Sequence, residues 1–205
     1  MLVLFIILIC YLIGAVPFAF ITTQLITGKD VRKYGSGNVG ATNASRLLGF
    51  KFGVLVALLD IFKGYIAVLI ANFFLADMPI YYLLLASLAV IIGHNWSVFL
   101  KFSGGKGVAT TVGVLLRLLP VAFLIYALIW IFVIILSKYV SLGSIMAAMS
   151  LPLTFFFYTE EAIYIVFAII IALFVIARHY SNIQRLLKGE ERKINFSLLV
   201  NKGDG

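Results

Sequence analysis

Six stretches of this chain are long and apolar enough to cross a lipid bilayer, and that settles the class of fold before anything else. A hydrocarbon core takes roughly 20 apolar residues per helix, within a range of about 17–25. By that measure spans run over about 2–26, 51–75, 80–100, 121–137, 142–158 and 162–178. A further apolar segment, about 106–119, is shorter and ends in Arg117 and Pro120. Composition agrees, since the 205 residues are 63% hydrophobic and 12% charged, where soluble domains average about 45–50% and about 25%. Mean hydropathy is +1.14. The runs are continuous rather than alternating, which argues against a transmembrane barrel. The expected fold is all-α: one polytopic membrane domain over 1–205 with a tail at 179–205.

Charge decides how the segments are threaded. If 106–119 and 121–137 are separate passes, Lys29, Arg32, Lys33, Arg46, Lys51, Lys101, Lys106, Lys138 and Arg178 through Lys193 share one side. The other side then holds Asp77, Glu160 and Glu161, with Arg117 its one basic residue. A single long pass would put the basic tail opposite the earlier basic loops. Because cytoplasmic loops carry the Lys/Arg excess, the expectation is seven transmembrane helices, N-terminus outside and C-terminus cytoplasmic. The opening "MLVLFIILICYLIGAVPFAF" has no basic leader and reads as a first span rather than a cleavable signal. The net charge of +8 would suggest nucleic acid in a soluble protein. At membrane edges it points instead to lipid head groups and anionic substrates, so no nucleic-acid partner is expected.

The unusual residues all fall on the predicted cytoplasmic side. They are "GSGNVGATNASR" at 35–46, "GHNWS" at 93–97 with "SGGKGVATT" at 103–111, "VSLGS" at 140–144, and "HYSNIQR" at 179–185. Each of the three loops precedes a helix leaving the cytoplasm. Each therefore aims unpaired N–H groups and the positive end of a helix dipole at one interface. Glycines let a backbone approach an anion, hydroxyls add donors, and Arg46 and Lys106 supply cations. "GGKG" does not complete a nucleotide P-loop, because Gly107 stands where Ser or Thr is needed.

Other polar residues carry plainer readings. Asp60 and Lys63 lie three apart inside the second span and suit a mutual ion pair. His94 and Trp96 read as interfacial anchors, and Cys10 as packing. Asn95-Trp96-Ser97 matches a glycosylation sequon on the wrong side of the membrane. Two histidines, one cysteine and scattered acids give no metal-ligand spacing, so neither metal nor cofactor is expected. The end of the tail, "INFSLLVNKGDG", reads as a short surface segment or frayed end.

Together "GSGNVGATNASR", "GHNWSVFLKFSGGKGVAT", "VSLGSI" and "HYSNIQRLLKGEE" resemble the bacterial acyl-phosphate:glycerol-3-phosphate acyltransferases, the PlsY family, from the first span to about Glu191. The resemblance implies a seven-helix enzyme of the bacterial inner membrane with its active site facing the cytoplasm. Such an enzyme moves a fatty acyl group from acyl phosphate to the 1-hydroxyl of glycerol 3-phosphate, giving lysophosphatidic acid and orthophosphate for phospholipid biosynthesis. Its partners would be those two substrates and membrane lipids, with no obligatory protein partner. Carried over by motif, Ser36, Asn38, Thr42, Asn43 and Arg46 enter the site, with Ser103, Gly104, Gly105, Lys106 and Gly107 as the glycerol-phosphate cradle. His179 and Asn182 come from the last motif, Glu191 reads as structural, and Ser141 and Ser144 are weaker members. The catalytic set is then His179, Asn182, Arg46 and Lys106.

Other glycerolipid acyltransferases use His-x-x-x-x-Asp, which is absent: five residues after His94 stands Phe99, and five after His179 stands Gln184. No Ser-His-Asp arrangement is apparent. Acyl phosphate brings its own leaving group, so direct transfer without an acyl-enzyme is expected, with His179 the rival base. The competing class is a transporter of anions or phosphorylated metabolites, for which Asp60 and Lys63 are the only deep charges. A scaffold for lipid head groups would need no glycine cradle, and a CDP-alcohol enzyme would need an acidic metal motif that is missing.

Overall fold

Pro17 interrupts the first apolar run. Proline lacks the N–H of a helical ladder and drives the residue before it out of the α region. Val16 accordingly takes φ −58° and ψ 116°. The stretch expected as one span over 2–26 is therefore built of two helices, α1 (Leu2–Ala15) and α2 (Phe18–Thr27), which together still form one apolar stretch of 26 residues long enough to cross. The computed structural model describes residues 1–194. Residues 195–205, and with them the expected surface segment or frayed end, lie outside the described residues.

After α2 come the short α3 (Ala41–Leu48), then α4 (Phe50–Phe74), α5 (Ile80–Asn95), α6 (Val108–Leu118) and α7 (Pro120–Ser137). The order closes with α8 (Val140–Tyr158), α9 (Ala162–Arg178) and α10 (Tyr180–Leu187). Two 3-10 turns, Val31–Lys33 and Val98–Leu100, sit in the loops, and there is no strand among the described residues. The protein is all-helical. Among the described residues five segments are long and apolar enough to cross a membrane, or six when α9 and α10, bent by 61°, count as one. The segment expected at 106–119 is the exception. Its helix has 11 residues, which at 1.5 Å each rise about 16 Å against a core of about 30 Å. It stops where Leu119 meets Pro120, the first residue of α7.

Large apolar side chains point both ways, as lipid contact requires. Ile91, Leu115, Leu151 and Phe155 fill the interior, while Leu58, Phe62, Leu128 and Phe132 are exposed. Two helix pairs approach backbone to backbone. A Cβ at Gly14 would lie 2.0 Å from Val90 O, and one at Gly93 would lie 2.1 Å from Tyr11 O, so α1 and α5 touch where only hydrogen fits. Gly64 and Gly113 do the same for α4 and α6, at 2.3 Å from Thr110 O and 2.0 Å from Ile61 O. Small residues at such crossings replace the hydrophobic drive that lipid cannot supply. The glycine loop hangs between these pairs, leaving α5 and entering α6.

The expected ion pair forms, with Lys63 Nζ 2.8 Å from Asp60 Oδ1. Lys63 also donates to Val16 O at 2.8 Å, satisfying a carbonyl at the break in the first span. His94 departs from its expected role as an interfacial anchor. It is buried, with Nδ1 3.6 Å from Asp60 Oδ1, because its turn of α5 packs beneath the loop rather than at the surface.

Candidate active site

The loop at 35–46 folds around one buried amide. Asn43 donates through Nδ2 to Val31 O and Tyr34 O, each at 3.0 Å, and its Oδ1 accepts from the Ser36 N–H at 2.9 Å. Gly35 can have no side chain there, since its Cβ would lie 2.2 Å from Asn43 Oδ1. Asn43 thus shapes the loop, and every hydrogen-bonding atom of its amide group is engaged by that task. The side chains of Ser36, Asn38, Thr42 and Arg46 make no hydrogen bond or ion pair among the described residues. They are available to a ligand.

The glycine loop is clamped from behind. Arg178 donates through Nε to Gly105 O and through Nη2 to Gly104 O, both at 2.9 Å, while its guanidinium lies over the Trp96 ring at 5.5 Å. The Gly105 N–H donates to His94 O at 3.0 Å. Close packing leaves no room for side chains: Cβ atoms at Gly104 and Gly105 would lie 2.2 Å from His94 O and 2.1 Å from His94 Nε2. Gly107 caps α6 in the left-handed region at φ 79°. With two carbonyls held by arginine, the N–H groups of Val108, Ala109 and Thr110 in the first turn of α6 keep the free valence of a helix start. Val39 O lies 2.7 Å from the same hypothetical Gly105 Cβ, so the two loops abut.

The bend between α9 and α10 faces Lys106. Lys106 Nζ donates to Asn182 Oδ1. Asn182 Nδ2 donates in turn to Glu191 Oε1 at 2.7 Å, which also accepts from Ser141 Oγ at 2.9 Å, and Arg185 Nε reaches Glu191 Oε2 at 2.7 Å. Burial alone would raise the Glu191 pKa, but the donors Asn182, Arg185 and Ser141 bring it below the usual carboxylate value. His179 Nδ1 meets Val175 O at 2.7 Å. A carbonyl only accepts, so Nδ1 holds the proton and Nε2 keeps a lone pair. Burial pushes the Lys106 ammonium down to about 8; Glu191 resists, while Arg185, Arg46 and Arg178 press the same way. Arg46 lies within electrostatic reach of Arg192, Glu191 and Arg185.

Of the residues singled out by sequence, Gly104, Gly105, Lys106, Gly107, Asn182 and Ser141 come together along one loop and its hydrogen bonds, and His179, its ring held by its own helix, faces them through the fields of Lys106 and Glu191. Arg46 joins them through its field. Ser103 is exposed at the loop's entry, its N–H donating to Leu100 O at 3.1 Å and its side chain without a partner among the described residues. Ser144 is committed elsewhere, donating to Val140 O at 2.9 Å and accepting from Trp130 Nε1 at 3.2 Å. In the sequence Arg178 reads only as a cytoplasmic charge, although its spacing of four and seven to Asn182 and Arg185 hints at a shared face. Beside the loop, between the break in the first span and the 98–100 turn, runs an apolar groove of ≈ 390 Å³. It is lined by Val16, Pro17, Phe20, Ile21, Phe99 and Leu100.

Residues 4–189 match the family described as glycerol-3-phosphate acyltransferase. A glycerol-3-phosphate acyltransferase of Fusobacterium nucleatum is 46% identical over 190 residues, 93% of this chain and 97% of its own. One from Thermoanaerobacter sp. is 45% identical over 187 residues, covering 91% and 93%. The crystal structure of PlsY, an integral membrane glycerol 3-phosphate acyltransferase, in its glycerol 3-phosphate form superposes with a TM-score of 0.90 at 40% identity, over 98% of this chain and 99% of that one. Its lysophosphatidic acid form gives 0.86 at 39% identity, over 97% and 99%.

Proposed function

This chain belongs to the glycerol-3-phosphate acyltransferase family, and on that premise we propose that it moves a fatty acyl group from acyl phosphate to the 1-hydroxyl of glycerol 3-phosphate. One observation carries the reading. The glycine loop gives its carbonyls to Arg178 and keeps the amides of the α6 start beside Lys106, forming an anion cradle next to an apolar groove. A phosphate and an acyl tail need that combination, and they need it at one place.

In this mechanism the glycine loop and Lys106 take the phosphate of glycerol 3-phosphate, and the groove takes the acyl tail. The hydroxyl oxygen attacks the acyl carbonyl carbon, the bond from that carbon to the phosphate oxygen breaks, and the hydroxyl proton passes to an oxygen of the departing phosphate. The products are lysophosphatidic acid and hydrogen phosphate, with no acyl-enzyme. Arg46 and the cradle amides offset developing charge, and placement of two reactants side by side contributes up to about 7–11 kcal/mol. Seven passes, with the short α6 counted as one of them, the N-terminus outside and the site facing the cytoplasm of a bacterial inner membrane, suit a donor dissolved in lipid and an acceptor dissolved in water. The transporter alternative loses its footing because Asp60 and Lys63 are paired with each other at 2.8 Å.

The test is purified protein in bilayer discs with acyl phosphate and labelled glycerol 3-phosphate, run beside acyl thioesters. Lysophosphatidic acid and orthophosphate should appear one for one from acyl phosphate. Turnover with thioesters and none with acyl phosphate refutes the donor. Two further results are expected. His179→Gln should raise KM for glycerol 3-phosphate more than it lowers the single-turnover rate. A rate lost by 10³ or more with intact binding, the upper range for a general base, reassigns His179 as the base. Lys106 is cationic below about pH 8 and neutral above it, so kcat/KM for glycerol 3-phosphate should fall about tenfold per pH unit beyond that point. Because bound phosphate restores the proton, kcat should change less over the same interval.

A further inference from the structure

Behind the cradle, on the His94 side of Gly105, lies a second set of ionisable groups that the reaction does not use. Asp60 and Lys63 project from α4 and His94 from the last turn of α5; their exposures are 2%, 3% and 8%. The contacts form a line. Val16 O accepts from Lys63 at 2.8 Å, Lys63 pairs with Asp60 at 2.8 Å, and Asp60 faces His94 Nδ1 at 3.6 Å. At the other edge of the imidazole, Nε2 lies against Gly105, 2.1 Å from where a Cβ would be. The same residue's backbone carbonyl holds the Gly105 N–H at 3.0 Å. Asp60, Lys63, His94, Ser97 and Gly104 also border a cavity of ≈ 10 Å³, so little slack remains behind the loop.

We propose that Asp60, Lys63 and His94 are positioning residues for the phosphate cradle, fixing the height of the Gly104–Gly105 backbone through the His94 ring while Lys63 anchors the line to the break in the first span. None of them touches substrate. A buried ion pair returns little net stability against its desolvation cost, and replacing both partners with neutral groups is often tolerated, whereas removing one leaves an unpaired charge. The proposal therefore separates stability from placement: neutralising the pair together restores the fold without restoring the loop. It deepens the reading above and rests on it, and because the cradle takes the glycerol phosphate, the defect falls on one substrate only.

The experiment compares the full chain in bilayer discs with Asp60→Asn, with Asp60→Asn/Lys63→Met, and with His94→Gln, which leaves the Asp60–Lys63 pair intact. Melting temperature and KM for each substrate are read for all four. Asp60→Asn should lower the melting temperature, and the double variant should recover it. In both the double variant and His94→Gln, KM for glycerol 3-phosphate should stay at least tenfold above wild type while KM for acyl phosphate moves less than twofold. His94→Gln reads the same point even if the double variant does not fold. Wild type without acyl transfer overturns the function proposed above and this inference with it. Active wild type with both KM values unchanged in His94→Gln, or with both raised equally, overturns this inference alone.

Discussion

Lys106→Met should lower kcat/KM for glycerol 3-phosphate by about 10²–10³, since truncating one partner of a buried, hydrogen-bonded charge pair costs about 2–5 kcal/mol. Lys106 is the cation joined most closely to the glycine loop, one residue before Gly107 and bonded to Asn182. Arg178 cannot substitute, because its Nε and Nη2 are held by Gly105 O and Gly104 O. Arg185 is bound to Glu191. Lys106→Arg should recover only part of the loss, since a planar fork replaces a compact ammonium in a half-buried slot. Methionine fills the lysine's volume, and Asn182 retains Glu191 as a partner, so the melting temperature should move little. Steady-state kinetics with both substrates, set beside a thermal melt, decide it. Lys106→Met with wild-type kcat/KM removes the cradle from the mechanism.

Gly104→Ala should be nearly as damaging, for a different reason. Its new methyl would lie 2.2 Å from His94 O and 2.7 Å from the carbon and oxygen of the Asn95 carbonyl. Those are backbone atoms of α5 and cannot rotate away, so the loop itself must lift. A displacement near 1 Å costs about 10²-fold where reactants are held in line, and it also breaks the 2.9 Å bonds from Arg178. The expected outcome is a fall of about 10² in kcat/KM with helix content unchanged by circular dichroism. Wild-type kinetics for Gly104→Ala would show that the loop's position is not what the rate depends on.

Much of this architecture is legible in the residue order because apolar length and charge act locally. Hydropathy alone locates α4 and α8 to within a residue or two, and the three-residue spacing of Asp60 and Lys63 anticipates their bond. The break at Val16–Pro17 was open to reading, since proline announces it. It is masked because the apolar run continues across it, and one of the two donors to the Val16 carbonyl there, Lys63 beside the Phe18 N–H, comes from another helix. The site divides in the same way. Lys106 and Asn182 stand out by residue type, but their contact joins positions 76 apart in the chain. Asn43 and Ser144 look like ligand groups by chemistry and turn out to be engaged by their own surroundings. Arg178 looks like a topology signal and grips two carbonyls. Residue type tells what a side chain can bond; only the packing of α5, α6, α9 and α10 tells which partner reaches it first.

On the function proposed above, the groove beside the first span changes what concentration means for this protein. A donor that stays dissolved in the bilayer and slides in sideways past Phe20 and Phe99 meets the enzyme as a two-dimensional solute. Its supply is set by how many donor molecules share each leaflet with each enzyme copy, and the product can return by the same sideways route without crossing water. Doubling the carrier lipid at fixed donor should thus slow turnover as dilution would, while doubling the volume of buffer around the same discs, with acceptor held constant, should leave it unchanged.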